Sequence, residues 1–447
     1  MRKGVRIFGW VSLVLGFIAL LVVLLFLYRN HRANQQLIPQ TAEAILEVKA
    51  DEIFRQLLGN AIANPTSYFA GKKDSAKDDR FEDLRPWNLG VDLPAKFYFF
   101  QIPQAPSSYL CFLKIDDLTR LKALLTDRMQ LTWNDEGNNW SATNEDQKLV
   151  FAGNAEHAVL AWSSKKDNSN PSLIFELLDK TENMVPISDF LDSIPSNDRG
   201  QITYWQPHTA NHWSISLKVG KASLEGVWSN DSWQFPEKTN APALDNEAIL
   251  SVALHADIRN WLAQHPEWLP SQDITWSEVS PYIGNYFEMQ WKAGTVMQSD
   301  TVVTYDYDDN FEMVEKQELR EEAVPNLTLS LMASPHLLTY LPEKMFYKFN
   351  RGQNGQLLEL STSPTSLKTP RPFVENDAHF VLKYREPNLS EQQHLPIPTW
   401  LQIYRSVDIT GESTKAHTIR ISGEMLTANQ NLHPIKQLAD QLSSKNN

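Results

Sequence analysis

The chain has 447 residues and a mass of 51.1 kDa. It is 42% hydrophobic, 21% charged and 11% aromatic, with 25 Pro, 17 Gly and one Cys. That composition excludes wholesale disorder, a collagen repeat and a long coiled coil, and the length allows two or three domains with cores of their own. The formal net charge of −13 is unevenly placed: residues 1–32 carry Arg2, Lys3, Arg6, Arg29 and Arg32 and no acid, leaving 36 basic against 54 acidic side chains in the remainder. A body this acidic repels phosphates, so no nucleic-acid partner is expected.

Residues 1–6 form a short basic N-terminus. Residues 7–28, IFGWVSLVLGFIALLVVLLFLY, run without a charge. At ~1.5 Å per residue such a helix spans a hydrocarbon core of ~30 Å. No small-x-small cleavage site follows, only Arg29-Asn30-His31-Arg32, so the segment reads as an uncleaved signal anchor that meets the lipid bilayer through residues 7–28. Three basic side chains precede it and two follow. The positive-inside rule then places the N-terminus in the cytoplasm, the anchor in the inner membrane and the body on the periplasmic side. Residues 29–38 read as a juxtamembrane linker.

The body opens with the strand-like Glu43-Ala44-Ile45-Leu46-Glu47-Val48, then Asp51 before EIFRQLL. Asp51 is placed to cap a helix and Gly59 to end it, with Ile53, Leu57 and Leu58 facing the core. The pattern returns as Glu247-Ala248-Ile249-Leu250-Ser251-Val252, followed by Asp257 and a helix with Ile258, Trp261 and Leu262 inward. A second echo, Leu224-Glu225-Gly226-Val227-Trp228 and Ile421-Ser422-Gly423-Glu424-Met425, lies in the same order. The two echoes predict a tandem duplication: a first domain over 39–236, a linker at 237–242 bracketed by Pro236 and Pro242, and a second domain over 243–447.

Strands are predicted at Phe97 to Ile102, Ser107 to Ile115, LTWND, KLVFAG and HAVLAWS, with Asp116 or Asp117 capping the helix LTRLKALL. Trp213 to Val219 alternates with Ser214, Ser216 and Lys218 and is expected to turn at Gly220-Lys221 into Ala222 to Trp228. MFYKFN and QLLELST are expected to flank a turn at Gly352 to Gly355, with AHFVLKYR and HTIRISGEM as further strands. A closing helix over Pro434 to Leu442 and a frayed end from Ser443 complete the pattern. Gly71 to Arg85 reads as a charged loop. The sum is an α+β fold: an N-terminal transmembrane helix, then two tandem domains of mainly antiparallel sheet with a few covering helices.

Pro39-Gln40-Thr41-Ala42 leading to Asp51, Leu89-Gly90-Val91-Asp92 before an aromatic strand, and Gly423 followed by Asn431-Leu432 and a closing helix form an ordered set. In that order the chain resembles anchored envelope proteins of Gram-negative bacteria that carry duplicated domains of unknown function. The resemblance implies an extracytoplasmic α+β protein and transfers no catalytic residue.

Chemistry-bearing patterns are incomplete. His208 and His212 have i, i+4 spacing, but Pro207 and the strand from Trp213 put them in a hairpin loop. Asp306-Tyr307-Asp308-Asp309-Asn310 lacks the Gly and Glu of a calcium loop, with Phe311 and Gln317 in their places, and reads as a polar turn. Ser163-Ser164-Lys165-Lys166 lacks companion motifs, and Asp78-Asp79 and Glu321-Glu322 read as solvated charge. Cys111 sits in an apolar run and reads as a buried hydrophobe. The 14 Trp and 20 Phe fit strand cores better than a sugar-lining groove. No catalytic, cofactor-binding or metal-ligating residue is assigned. The expectation is a non-enzymatic anchored protein acting through protein–protein contacts in the envelope. Two alternatives stand beside it, a carrier or binder of an apolar or glycan ligand and a hydrolase without a recognisable motif.

Overall fold

The computed structural model describes residues 24–69, 89–163, 171–179, 183–191, 199–266, 275–307, 313–341, 347–364, 371–387, 397–398 and 400–445. Among these no helix is long and apolar enough to cross a membrane. Most of the 7–28 segment, the loop at 71–85 and Asp78-Asp79 lie outside the described residues. The chain divides into two compact units, residues 1–218 and 219–447. The division falls before the stretch read as a linker. Part of that stretch, Thr239–Pro242, is a strand.

The strands of the first unit are β1 (Leu37–Pro39), β2 (Ala44–Val48), β3 (Val91–Asp92), β4 (Phe97–Gln101), β5 (Ser108–Ile115), β6 (Thr132–Glu136), β7 (Asn139–Thr143), β8 (Leu149–Gly153), β9 (His157–Ser163), β10 (Met184–Pro186), β11 (Ile202–Trp205) and β12 (His212–Lys218). They pair antiparallel in the order β12-β11-β2-β4-β5-β9-β8-β7-β6, with β3 on β5 and β1 on β10. Strand alternation gives each face its own core. One face holds Ile45, Phe100, Leu110, Val159 and Trp205 against helix Pro171–Asp179. The other holds Cys111, Leu113, Trp140 and Phe151 against Leu121 and Leu125 of the helical stretch after Asp117. Asp117 does cap that helix, accepting from Arg120 N at 3.1 Å.

The second unit contains β13 (Lys221–Ser229), β14 (Thr239–Pro242), β15 (Leu250–His255), β16 (Ile283–Tyr307), β17 (Met313–Ala333), β18 (Asn350–Asn354), β19 (Leu357–Ser361), β20 (Phe373–Asn376), β21 (Ala378–Arg385), β22 (Tyr404–Lys415) and β23 (Thr418–Thr427). Their order is β13-β23-β22-β21-β15-β16-β17-β19-β18, all antiparallel, with β14 on β20. The echoing segments of β13 and β23 are direct neighbours, Leu224 opposite Gly423 and Gly226 opposite Ile421. Both units are thus mainly antiparallel α+β structures.

Several local expectations need correction. Asp51 does not cap its helix, which runs Ala50–Ala63 straight through Gly59. Asp51 instead lies in the first turn, where a carboxylate also suits the helix dipole, and accepts a bidentate bond from Arg29. Leu58 is 51% exposed, and the helix buries Asn60 and Ala61 instead. The turn after β12 lies at Val219-Gly220, with Gly220 at φ +79°. Ser214 is buried despite its polarity, and the burial of β12 does not follow its alternation. Gly352 belongs to β18, which opens at Asn350, the last residue of MFYKFN, while Met345 and Phe346 of that run lie outside the described residues. The last helix continues to Lys445 rather than fraying at Ser443.

Candidate functional site

Residues 24–34 are helical and dock on the first unit, although 29–38 reads as a linker. The helix has two characters. Its first turns leave Leu24, Leu25, Leu27 and Tyr28 exposed. One turn later Ala33 is buried and the polar side chains engage the body. Arg29 donates to both oxygens of Asp51 at 2.8 and 3.0 Å and to Leu93 O at 3.0 Å. Arg32 pairs with Asp92 at 3.0 Å. Asn34 Oδ1 accepts from Lys96 Nζ at 3.0 Å and from the Tyr98 hydroxyl at 3.2 Å. Behind it Glu47, buried on β2, accepts from Tyr98 at 3.2 Å and pairs with Lys96 at 3.1 Å. Burial and the neighbouring Glu47 carboxylate push the Tyr98 phenol well above its usual range, so it stays a donor.

Beside this helix lies a cleft of about 460 Å³. Its floor is Phe112 of β5. One wall is Leu177 and Leu178 of helix Pro171–Asp179, with Met184 of β10, and the other is the docked segment from Tyr28 to Leu37. The two walls are joined at one end by the pairing of β1 with β10, and the docked segment is tied to the floor by Gln36 Nε2, which donates to Phe112 O at 2.9 Å. Gln36 Oε1 is buried without a hydrogen-bond partner.

The rim is a cross-strand row. Asp92 of β3 and His157 of β9 both stand in register with Lys114 of β5, so the three share a sheet face with Phe112 two residues back. All of them line the cleft. An apolar floor with a few converging polar groups is the form a small-molecule site takes. It offers no nucleophile–base pair, and among the described residues no three His, Cys, Asp or Glu side chains stand together as metal ligands.

The residues singled out in sequence lie elsewhere. His208 sits in the β11–β12 loop, and His212 opens β12 with Nδ1 2.9 Å from Ala210 O. Asp306 and Tyr307 end β16, while Asp308 to Asn310 lie outside the described residues. Glu321 and Glu322 are exposed on β17. Cys111 is fully buried and burial pushes its thiol up to about 12. The second unit holds a buried charge cluster: Arg371 meets Glu288 at 2.5 Å, Glu359 at 3.3 Å and Ser330 Oγ at 2.8 Å, and Tyr286 donates to Glu288 at 2.5 Å. Glu288 has no exposed surface, while Arg371 keeps 18% of its side chain exposed. Sequence reasoning missed Arg29, Arg32, Phe112 and Lys114. The usable signal was the i, i+3, i+7 row of Phe26, Arg29 and Ala33, which continues a helix past the apolar run.

Fold and cleft together define a mainly antiparallel α+β protein with a ligand-sized cleft in its first unit. No protein-family model matches the chain, and no curated protein matches it. It is similar to a solved chain titled "Structure of crystal form IV of TP0453", at 11% identity over 74% of this chain and 93% of that one, with a TM-score of 0.18. A likeness at that score says nothing of a shared fold.

Proposed function

We propose that the chain is a non-enzymatic, single-pass anchored protein of the inner membrane with a periplasmic body, and that its first unit holds a small apolar-bodied ligand beside the anchor helix. The carrying observation is the cleft, whose 460 Å³ falls within the ~300–1,000 Å³ common to ligand sites. Among its apolar lining residues only Phe112 and Tyr28 are aromatic and the rest are aliphatic, which favours an apolar body over a stacked sugar. The uncharged run at 7–28 and the exposed leucines at its described end support the anchor. The basic residues ahead of it support a cytoplasmic N-terminus. The strand-then-helix openings at β2 and β15, one in each unit, support a tandem origin for the body, in keeping with the resemblance to duplicated envelope proteins.

Native mass spectrometry of the full chain released from nanodiscs tests the reading. A stoichiometric small-molecule adduct is expected, and it should fall at least about tenfold in Leu178→Trp, which fills the cleft. An adduct unchanged by Leu178→Trp, or none at all, would contradict it.

A second reading, contact with an envelope protein, is favoured by the β16–β17 hairpin. Its pairs from Thr295↔Pro325 to Tyr307↔Met313 have no further strand neighbour among the described residues. Residues 295–325 hold nine acidic side chains against Lys316 and Arg320. Such an arm suits a basic extended partner. Removing residues 302–318 should then abolish co-purification of that partner and leave the adduct intact. Unchanged co-purification would contradict it.

A further inference from the structure

We propose that the cleft takes an anionic amphiphile of the bilayer, with its acidic head at Lys114 and its apolar chain over Phe112 against Leu177 and Leu178. This rests on the cleft being a ligand site and adds the chemistry of the head.

The argument is one of matched and unmatched charge. Arg29 and Arg32 face the cleft but are neutralised by Asp51 and Asp92. Lys114 has no ion-pair partner among the described residues. Its register neighbour Asp92 is already held by Arg32, and its other neighbour is His157. The rim therefore carries one surplus positive charge, above an apolar floor, on a body where acids outnumber bases. An anion is drawn there rather than to the surrounding surface. Contact with the apolar wall lowers the local dielectric and strengthens that attraction over its value in open water.

Two details favour a bilayer lipid over a soluble anion. The lip of the cleft includes Tyr28, the last residue of the uncharged run, so a chain leaving the leaflet enters within about one helical turn, ~5.4 Å. The buried Gln36 Oε1 also lacks a donor. A hydroxyl on a glycerol-type head supplies one, and an unmet acceptor of this kind is costly to leave unpaired.

The test uses the full chain in nanodiscs with photoactivatable phosphatidylglycerol or photoactivatable phosphatidylcholine as the probe. Phosphatidylglycerol should label peptides containing Phe112 or Leu178 at least about tenfold more than phosphatidylcholine. Lys114→Glu should erase that preference, Lys114→Arg should keep it, and glycerol phosphate without acyl chains should not compete. Equal labelling by the two lipids, or a preference that survives Lys114→Glu, would overturn the anionic head and leave the cleft reading standing. Competition by glycerol phosphate would overturn the need for a chain. Labelling by neither lipid, together with no adduct in native mass spectrometry, would overturn both.

Discussion

Arg371 shows how much depends on single buried charges here. It answers Glu288 and Glu359 together, and removing one partner of such a group leaves uncompensated carboxylates in the interior. Arg371→Met should therefore cost about 3–5 kcal/mol in urea unfolding, and a loss below ~1 kcal/mol would show that the cluster is hydrated. Burial holds the Glu288 carboxyl above its usual range, while Arg371 and the Tyr286 hydroxyl pull it back. A carboxyl raised on folding favours the native state at low pH. Its contribution is lost as pH climbs from the ordinary glutamate value through the raised one. The stability of wild type minus that of Glu288→Gln should thus fall with rising pH over that window, and a difference that rises would contradict the assignment. Cys111, buried with its thiol near 12, should resist maleimide in the native chain and react in urea. Its character was legible from its apolar run. The role of Asp51 was not, because a capping carboxylate and one holding an arginine from another element look alike in sequence.

At the scale of elements, period-two patterning located most strands, from Phe97–Gln101 to Thr418–Thr427, because alternation and turn residues are local signals. It did not locate the cleft, whose walls come from segments far apart in sequence and are joined by β1–β10 pairing, with the Gln36 bond to the floor beside it. Gly90 illustrates a local demand. It has φ +75°, and a Cβ there would lie 2.4 Å from Leu121 N and 2.5 Å from Asp117 O. Gly90→Ala should cost about 3 kcal/mol or more by chemical denaturation, since strain and collision add. Asp117→Ala, which removes only the cap, should cost ~1 kcal/mol. Equal losses would contradict this account of the turn. The docked helix 24–34 makes its own claim: Ala33→Glu should undock it and speed amide exchange across residues 29–36 at least about tenfold, with the sheet unaffected. Unchanged exchange would mean that the burial of Ala33 is not what holds it.

For the whole molecule, the α+β class followed from composition and patterning, and both units carry it. The domain boundary did not follow. Proline-bracketed polar residues at 237–242 resemble a linker, yet four of them pair with Phe373–Asn376, and β13 pairs with β23. Long-range strand pairing overrode the local composition. The function expected from sequence, contact with an envelope partner, yields first place to ligand binding because of a cavity that no motif announces.

A ligand cleft that stands open at the bilayer surface, as proposed, brings its rim within reach of the lipid headgroups. A fluorophore on Gln35→Cys, at the rim of that cleft, tests it with the full chain in vesicles containing spin-labelled lipids, since buried Cys111 stays silent. Strong quenching by lipids labelled near the headgroup is expected, and it should weaken when Ala33→Glu frees the helix. A probe that headgroup-labelled lipids leave unquenched would place the cleft away from the membrane and contradict the account.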